Sequence, residues 1–235
     1  MMKDDDLILA EAKNVFLSRM SHDLRNPLNA IVGLAEILQE GVYGEMTEKQ
    51  SRSLRQIESS GFELLNLIER FTLIQRLVED LLTVQKSRMN LVDVFAALKS
   101  VWRPRLAVRD LVMEVHCDAS LGLVDSDSRI IRALSSILLE KAALFIPAGS
   151  TVRLEARRST PTCWTLTVIH GSAELSAQFR SKADPAMSKE DMRVALLRSE
   201  GSGLVAATAL CQLLGGELSV HSAQDEEQFQ VELPG

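Results

Sequence analysis

Ser21-His22-Asp23-Leu24-Arg25-Asn26-Pro27-Leu28 lies in the middle of a long helical pattern, and its reading decides the first third of the chain. Around it Leu17, Ser21, Leu24, Leu28, Ile31, Ala35 and Leu38 recur at alternating steps of four and three, the spacing of a coiled-coil seam. Gly41-Val42-Tyr43-Gly44-Glu45-Met46 breaks that rhythm, and Thr47-Glu48-Lys49-Gln50 then offers an N-cap with its capping-box partner. The same rhythm resumes through Leu54, Ile57, Gly61, Leu64, Ile68, Phe71, Val78 and Leu82, so the spacing predicts a helical hairpin. Neither arm can bury such a stripe alone. Two hairpins paired into a four-helix bundle would cover it, which predicts a homodimer.

His22 falls one position beyond the seam residue Ser21, so its ring is expected on the flank of the bundle, towards solvent. Pro27 removes a helical hydrogen bond to the carbonyl of Asp23 and is expected to bend the helix, at a cost of about 3 kcal/mol. The adjacent Asp23 carboxylate can accept the proton of one ring nitrogen and leave the other with a free lone pair, which makes His22 a candidate nucleophile. Asn26 follows one helical turn later on the same face, where its amide can orient a water or a partner's group over the ring. Arg25 is placed to meet an acidic or phosphorylated partner. A surface histidine beside a kink is the plain alternative.

This string resembles the H-box of the dimerisation and phosphoacceptor domain of bacterial sensor histidine kinases. Phe16-Leu17-Ser18-Arg19-Met20, Ala30-Ile31-Val32-Gly33, the Tyr43-Gly44 hairpin and Gln56-Ile57 leading into Leu64-Leu65-Asn66-Leu67-Ile68 carry the resemblance further. It implies that His22 accepts a phosphoryl group, that Asp23 is the neighbouring acid and that Asn26 holds the position tied to dephosphorylating a response regulator. Phe71 to Val84 looks longer than the family's second helix. The expected division is a helical-hairpin phosphoacceptor domain over residues 1–87 and a second domain over 88–235.

In the second half the pattern changes. Leu111 to Cys117, Thr151 to Ala156, Trp164 to Val168, Glu217 to His221 and Phe229 to Leu233 alternate like strands. Arg129 to Phe145 and Leu204 to Leu214 have helical spacing, which gives an α+β class. Gly171 to Glu200 reads as a long loop or lid with a short helix around Asp191 to Arg198. The order resembles the family's GHKL-type ATPase, an α/β sandwich. The resemblance then places the family's magnesium-holding asparagine on Lys141, whose ammonium has no lone pair for a metal. An upstream asparagine falls on Ile137, and the adenine-recognising aspartate on Ile169, within Ile169-His170-Gly171-Ser172-Ala173. Glu140 or Glu174 would supply oxygens only after a shift of register. Gly201-Ser202-Gly203 resembles the family's later glycine box, with Val205 in place of one of its glycines; this turn and Gly215-Gly216 also read as ordinary helix-end glycines.

Composition narrows the classes. Of 235 residues 46% are hydrophobic and 25% charged, which describes a folded globular chain. Lys and Arg number 26 against 32 Asp and Glu, a formal net charge of −6 that argues against salt-driven nucleic-acid binding. Cys117, Cys163 and Cys211 are three widely spaced thiols of a reducing compartment, and His116, His170 and His221 share no ligand spacing, so no metal site is expected. No run approaches the roughly 18 apolar residues of a membrane span. The opening Met1-Met2-Lys3-Asp4-Asp5-Asp6 is unlike a signal peptide, so a cytoplasmic protein is expected.

A phosphoacceptor helix beside an eroded nucleotide site implies a histidine phosphotransfer protein, one that passes a phosphoryl group between His22 and the aspartate of receiver domains. On this reading the degenerate nucleotide site comprises Lys141, Ile169, Gly201 and Gly203. No cofactor is expected on the chain: ATP is not expected to bind, and Mg2+ comes with the receiver. The implied partners are a second copy, response-regulator receiver domains and a hybrid histidine kinase. An ATP-dependent kinase with an atypical site and a non-catalytic pseudokinase scaffold remain as alternatives.

Overall fold

A computed structural model describes residues 2–79, 81–171, 202–223 and 226–235. The chain divides into two compact units, Met1–Leu82 and Thr83–Gly235.

The first unit is a helical hairpin of α1 (Met2–Gln39) and α2 (Glu48–Val78). The helix continues through Pro27. Gly41 and Gly44 turn the chain with φ of 74° and 117°, values that side chains rarely adopt. Thr47 then caps α2: its Oγ1 accepts from the Gln50 amide at 3.3 Å while its own amide donates to Gln50 Oε1 at 2.8 Å. The expected seam splits in two. Ser21 and Ala35 of α1 and Gly61 of α2 are buried, with Leu28, Leu54 and Ile68 half-buried. Leu24, Ile31, Leu38, Ile57, Leu64 and Phe71, the alternate members of the same rhythm, stand 36% to 48% exposed. One half of each stripe therefore closes the hairpin and the other half is left for a further surface. The arms pack closely at Gly61, where a Cβ would come within 2.5 Å of Val32 Cγ2. Buried Ser21 Oγ and Thr72 Oγ1 are hydrogen-bonded to each other at 2.5 Å, and Gln39 Nε2 donates to Glu58 Oε2 at 2.6 Å nearer the turn.

The second unit opens with β1 (Ser87–Asn90) and α3 (Leu91–Ala107), followed by β2 (Val112–Cys117), a short 3-10 turn and β3 (Leu123–Ser126). It continues with α4 (Ser128–Phe145), β4 (Thr151–Thr160) and β5 (Cys163–His170), then α5 (Ser202–Leu213), β6 (Glu217–Ala223) and β7 (Glu226–Pro234). Strands β2-β4-β5-β7-β6 form one sheet, in which β2 and β4 are parallel and the other pairs antiparallel; β1 and β3 form a separate antiparallel ribbon. Helices α3, α4 and α5 pack on one face of the sheet. Leu154, Leu166, Val168, Phe229 and Val231 from that face meet Ile130, Leu134, Leu138 and Leu210 in an aliphatic core.

The sequence pattern did not yield α3, β1 or β3. Strands of four residues carry too little alternation to register, whereas α3 has a legible signal in Val94, Phe95, Leu98 and Trp102 behind the N-cap Asn90. The two compact units divide between Leu82 and Thr83, where the expected division is 87/88. Asp127, buried at the N-cap of α4, accepts from the Gln85 amide at 2.8 Å, and Arg129 Nη2 donates to the Thr83 carbonyl at 3.4 Å, which ties residues 83–85 to the second unit. The expected lid and its helix around Asp191 to Arg198 lie outside the described residues, apart from Gly171.

Candidate functional site

His22 stands on α1 with its side chain 68% exposed and that of Asp23 78% exposed. Both neighbours address the same ring nitrogen: Asp23 Oδ1 lies 3.5 Å from Nδ1 and Asn26 Nδ2 lies 3.4 Å from it. The two contacts demand opposite states of Nδ1, because a carboxylate accepts a proton there and an amide N–H donates to a lone pair. When Asp23 takes the Nδ1–H, the lone pair lies on Nε2, which has no partner among the described residues. The helix brings His22, Asp23 and Asn26 together as their spacing of one and four predicts. The Arg25 Nη2 stands 3.5 Å from Glu69 Oε1 of α2, a loose ion pair between two part-exposed side chains. Glu69 is a member of this group that sequence reading missed; it sits among the charged faces of α2, where nothing in spacing alone distinguishes it.

In the second unit Lys141 lies on α4 against the first turn of α5. A Cβ on Gly203 would come 2.5 Å from Lys141 Cε and 3.3 Å from Nζ, so the glycine leaves room for the lysine chain. Gly201 lies outside the described residues. Ile169 is corrected by the pleat: Trp164, Leu166, Val168 and His170 point into the helical layer, and Ile169 points to the other face. The inward residue at the end of β5 is His170. Its side chain is 1% exposed, both ring nitrogens lack a hydrogen-bond partner among the described residues, and its ring lies 5.5 Å from that of Phe229. Burial depresses its pKa to about 4, so the imidazole is neutral. Alternation along Cys163–His170 was the available signal for this correction.

Gly215 and Gly216 close α5. Gly215, at φ 80°, donates to the Gln212 carbonyl at 2.9 Å, and Gly216 donates to that of Cys211 at 3.0 Å, the two bonds of a Schellman cap. Burial pushes the Cys211 thiol up to about 12, which makes it an inert core group. Among the described residues no helix is long and apolar enough to cross a membrane, and no group of three or more His, Cys, Asp or Glu could hold a metal ion.

Comparison with known proteins agrees with this layout. Residues 12–89 match the His Kinase A (phospho-acceptor) domain. The chain is 30% identical over 224 residues to the non-motile and phage-resistance protein of Caulobacter vibrioides, covering 92% of this chain and 26% of that one. It is 28% identical over 244 residues to the sensor histidine kinase GacS of Pseudomonas protegens, covering 98% of this chain and 26% of that one. The chain thus spans about a quarter of the length of these curated relatives. Among solved structures, the histidine kinase AdeS of Acinetobacter baumannii has the same fold, with a TM-score of 0.53 at 19% identity, covering 91% of this chain and 97% of that one. The matched hairpin carrying His22 and the helix-covered sheet that follows it place the chain in the bacterial sensor histidine kinase family, with a phosphoacceptor hairpin followed by a GHKL-type ATPase-like domain.

Proposed function

We propose that this chain is a histidine phosphotransfer protein of two-component signalling, in which His22 exchanges a phosphoryl group with the aspartate of a receiver domain. The observation that carries the reading is the arrangement at His22: an exposed imidazole whose Nδ1 is bracketed by Asp23 and Asn26 and whose Nε2 is open. In the forward step the Nε2 lone pair attacks the phosphorus of a receiver's aspartyl phosphate. The Nε2–P bond forms as the P–O bond to the aspartate breaks, and Asp23 holds the Nδ1 proton while positive charge develops on the ring. The Mg2+ that neutralises the phosphoryl oxygens is the receiver's own. Asn26, on the same face, is the group that orients a water against the receiver's phosphoryl group when the flow is hydrolytic.

The chain acts as a homodimer on this reading. The outward halves of both seams, Leu24, Ile31 and Leu38 on α1 with Ile57, Leu64 and Phe71 on α2, make the apolar stripe that a second hairpin would bury.

On this reading the described residues of the second domain do not suit a magnesium nucleotide. Lys141 brings an ammonium to the place where the family pattern needs an oxygen ligand, and its chain fills the space over Gly203 at the start of α5. The inward side chain at the end of β5 is the neutral imidazole of His170, with no carboxylate at that position to accept from an adenine amino group. On this reading no step is routed through ATP.

A panel of receiver domains loaded with labelled aspartyl phosphate tests the reading. Label is expected to pass to the wild-type chain and not to a His22→Ala variant. Equal labelling of the two, or none of either across the panel, would overturn it.

A further inference from the structure

Arg25 follows His22 by three residues on α1, a spacing that makes the two side chains neighbours on the helix surface. Its guanidinium faces α2, where Nη2 stands 3.5 Å from Glu69 Oε1 with the two side chains 40% and 54% exposed. That separation exceeds the roughly 2.7–2.9 Å of a charge-assisted hydrogen bond, and an exposed pair of this kind holds its partners weakly. Arg25 Nε is buried and has no hydrogen-bond partner among the described residues. A guanidinium has five N–H donors in a rigid fork, so most of the capacity of Arg25 is unspent one helical turn from His22.

We infer that Arg25 is a phosphoryl-binding residue: when His22 carries a phosphoryl group on Nε2, the Arg25 guanidinium leaves Glu69 and forks onto the phosphoryl oxygens. The inference rests on the reading of His22 as the phosphoacceptor. A phosphoryl group brings about −1.5 to −2 charges and three acceptor oxygens, against a single charge on Glu69. Asp23 and Asn26 engage the Nδ1 side of the ring, which leaves the opposite nitrogen to carry the phosphoryl group, with Arg25 one helical turn along the same helix. The exchange carries the state of α1 to α2: Glu69 is held while His22 is empty and released when it is loaded. A receiver approaching the loaded hairpin then meets a free Glu69 carboxylate and a partly neutralised phosphoryl group, where the empty hairpin presents a paired Glu69.

The test uses the full 235-residue chain, labelled with 15N and treated with phosphoramidate. In that reaction the reagent's P–N bond breaks, the Nε2–P bond forms and ammonia leaves. The Arg25 Nε–H resonance, assigned with Arg25→Lys, is expected to move downfield on phosphorylation. The 31P titration midpoint of the phosphohistidine is expected to rise by about half a pH unit in Arg25→Gln and to fall in Glu69→Gln. Loss of the ion pair as a purely structural element would shift both variants the same way. An unmoved Arg25 resonance, or midpoints displaced in the same direction, on a phosphorylated His22 overturns this inference and leaves the phosphoacceptor reading intact. A chain that takes no phosphoryl group on His22 overturns both.

Discussion

His170 gives the second domain a stability that depends on pH in a calculable way. In the unfolded chain its imidazole titrates near 6.5, and in the folded domain burial lowers the pKa to about 4. Between these values the unfolded state binds the proton and the folded state refuses it, so stability rises with pH. The contribution is complete above about pH 6.5 and declines as the pH falls towards about 4. At about 1.4 kcal/mol per pH unit, the loss across that window is about 3 kcal/mol. Tryptophan fluorescence isolates the effect, because the chain's two tryptophans, Trp102 on α3 and Trp164 on β5, both lie in the second unit. Urea unfolding at a series of pH values from 7.5 to 4.5 then gives the slope. In His170→Leu the orphaned ring nitrogens are replaced by an apolar side chain of similar size, so stability at neutral pH is expected to be unchanged or higher, with the slope reduced by that amount. Parallel stability curves for wild type and variant would refute the argument. They would mean that Glu227, opposite His170 in the β5–β7 register, accommodates the imidazolium in the folded domain.

Further outcomes follow from the same contacts. Asp127→Ala removes the acceptor for the Gln85 amide, the Arg129 amide and the Arg129 guanidinium at once, and is expected to destabilise the second unit by about 2 kcal/mol in the same fluorescence assay. Although burial opposes ionisation there, the Arg129 and backbone hydrogen bonds hold the Asp127 carboxyl below its usual range, so its contribution is lost only as the pH falls below about 4. Gly61→Ala gains about 1 kcal/mol of helix propensity but overpacks Val32 at a cost of about 1–3 kcal/mol, so circular dichroism should record a lower melting temperature for the hairpin that Val32→Ala in the same chain restores. Asn26→Ala is expected to lengthen the lifetime of a receiver's aspartyl phosphate incubated with the chain; an unchanged lifetime removes Asn26 from the hydrolytic role.

The hairpin was legible because its signals are local. Thr47 and Gln50 announce the start of α2, and seam residues at steps of three and four announce both arms. The division of that seam was not legible: Ser21 and Leu24 are equivalent in a periodic pattern, and only the partner arm decides which is buried. The internal pairing of Arg25 was hidden for the same reason, since Glu69 lies 44 residues away on another helix and no short-range rule links the two. In the second domain the long strands announced themselves by alternation, and the four-residue strands β1 and β3 did not. At the end of β5 the side chain that faces the helical layer is His170 and not Ile169, because in a strand each step of one residue reverses the face.

Incubation of the purified chain with Mg2+ and γ-labelled ATP, scored for acid-labile label on His22 against His22→Ala, tests the central claim most directly. No label on a chain that accepts label from a phosphorylated receiver is the predicted result. Label on His22 from ATP alone would show that Lys141 and His170 leave a working nucleotide site, and would contradict the account.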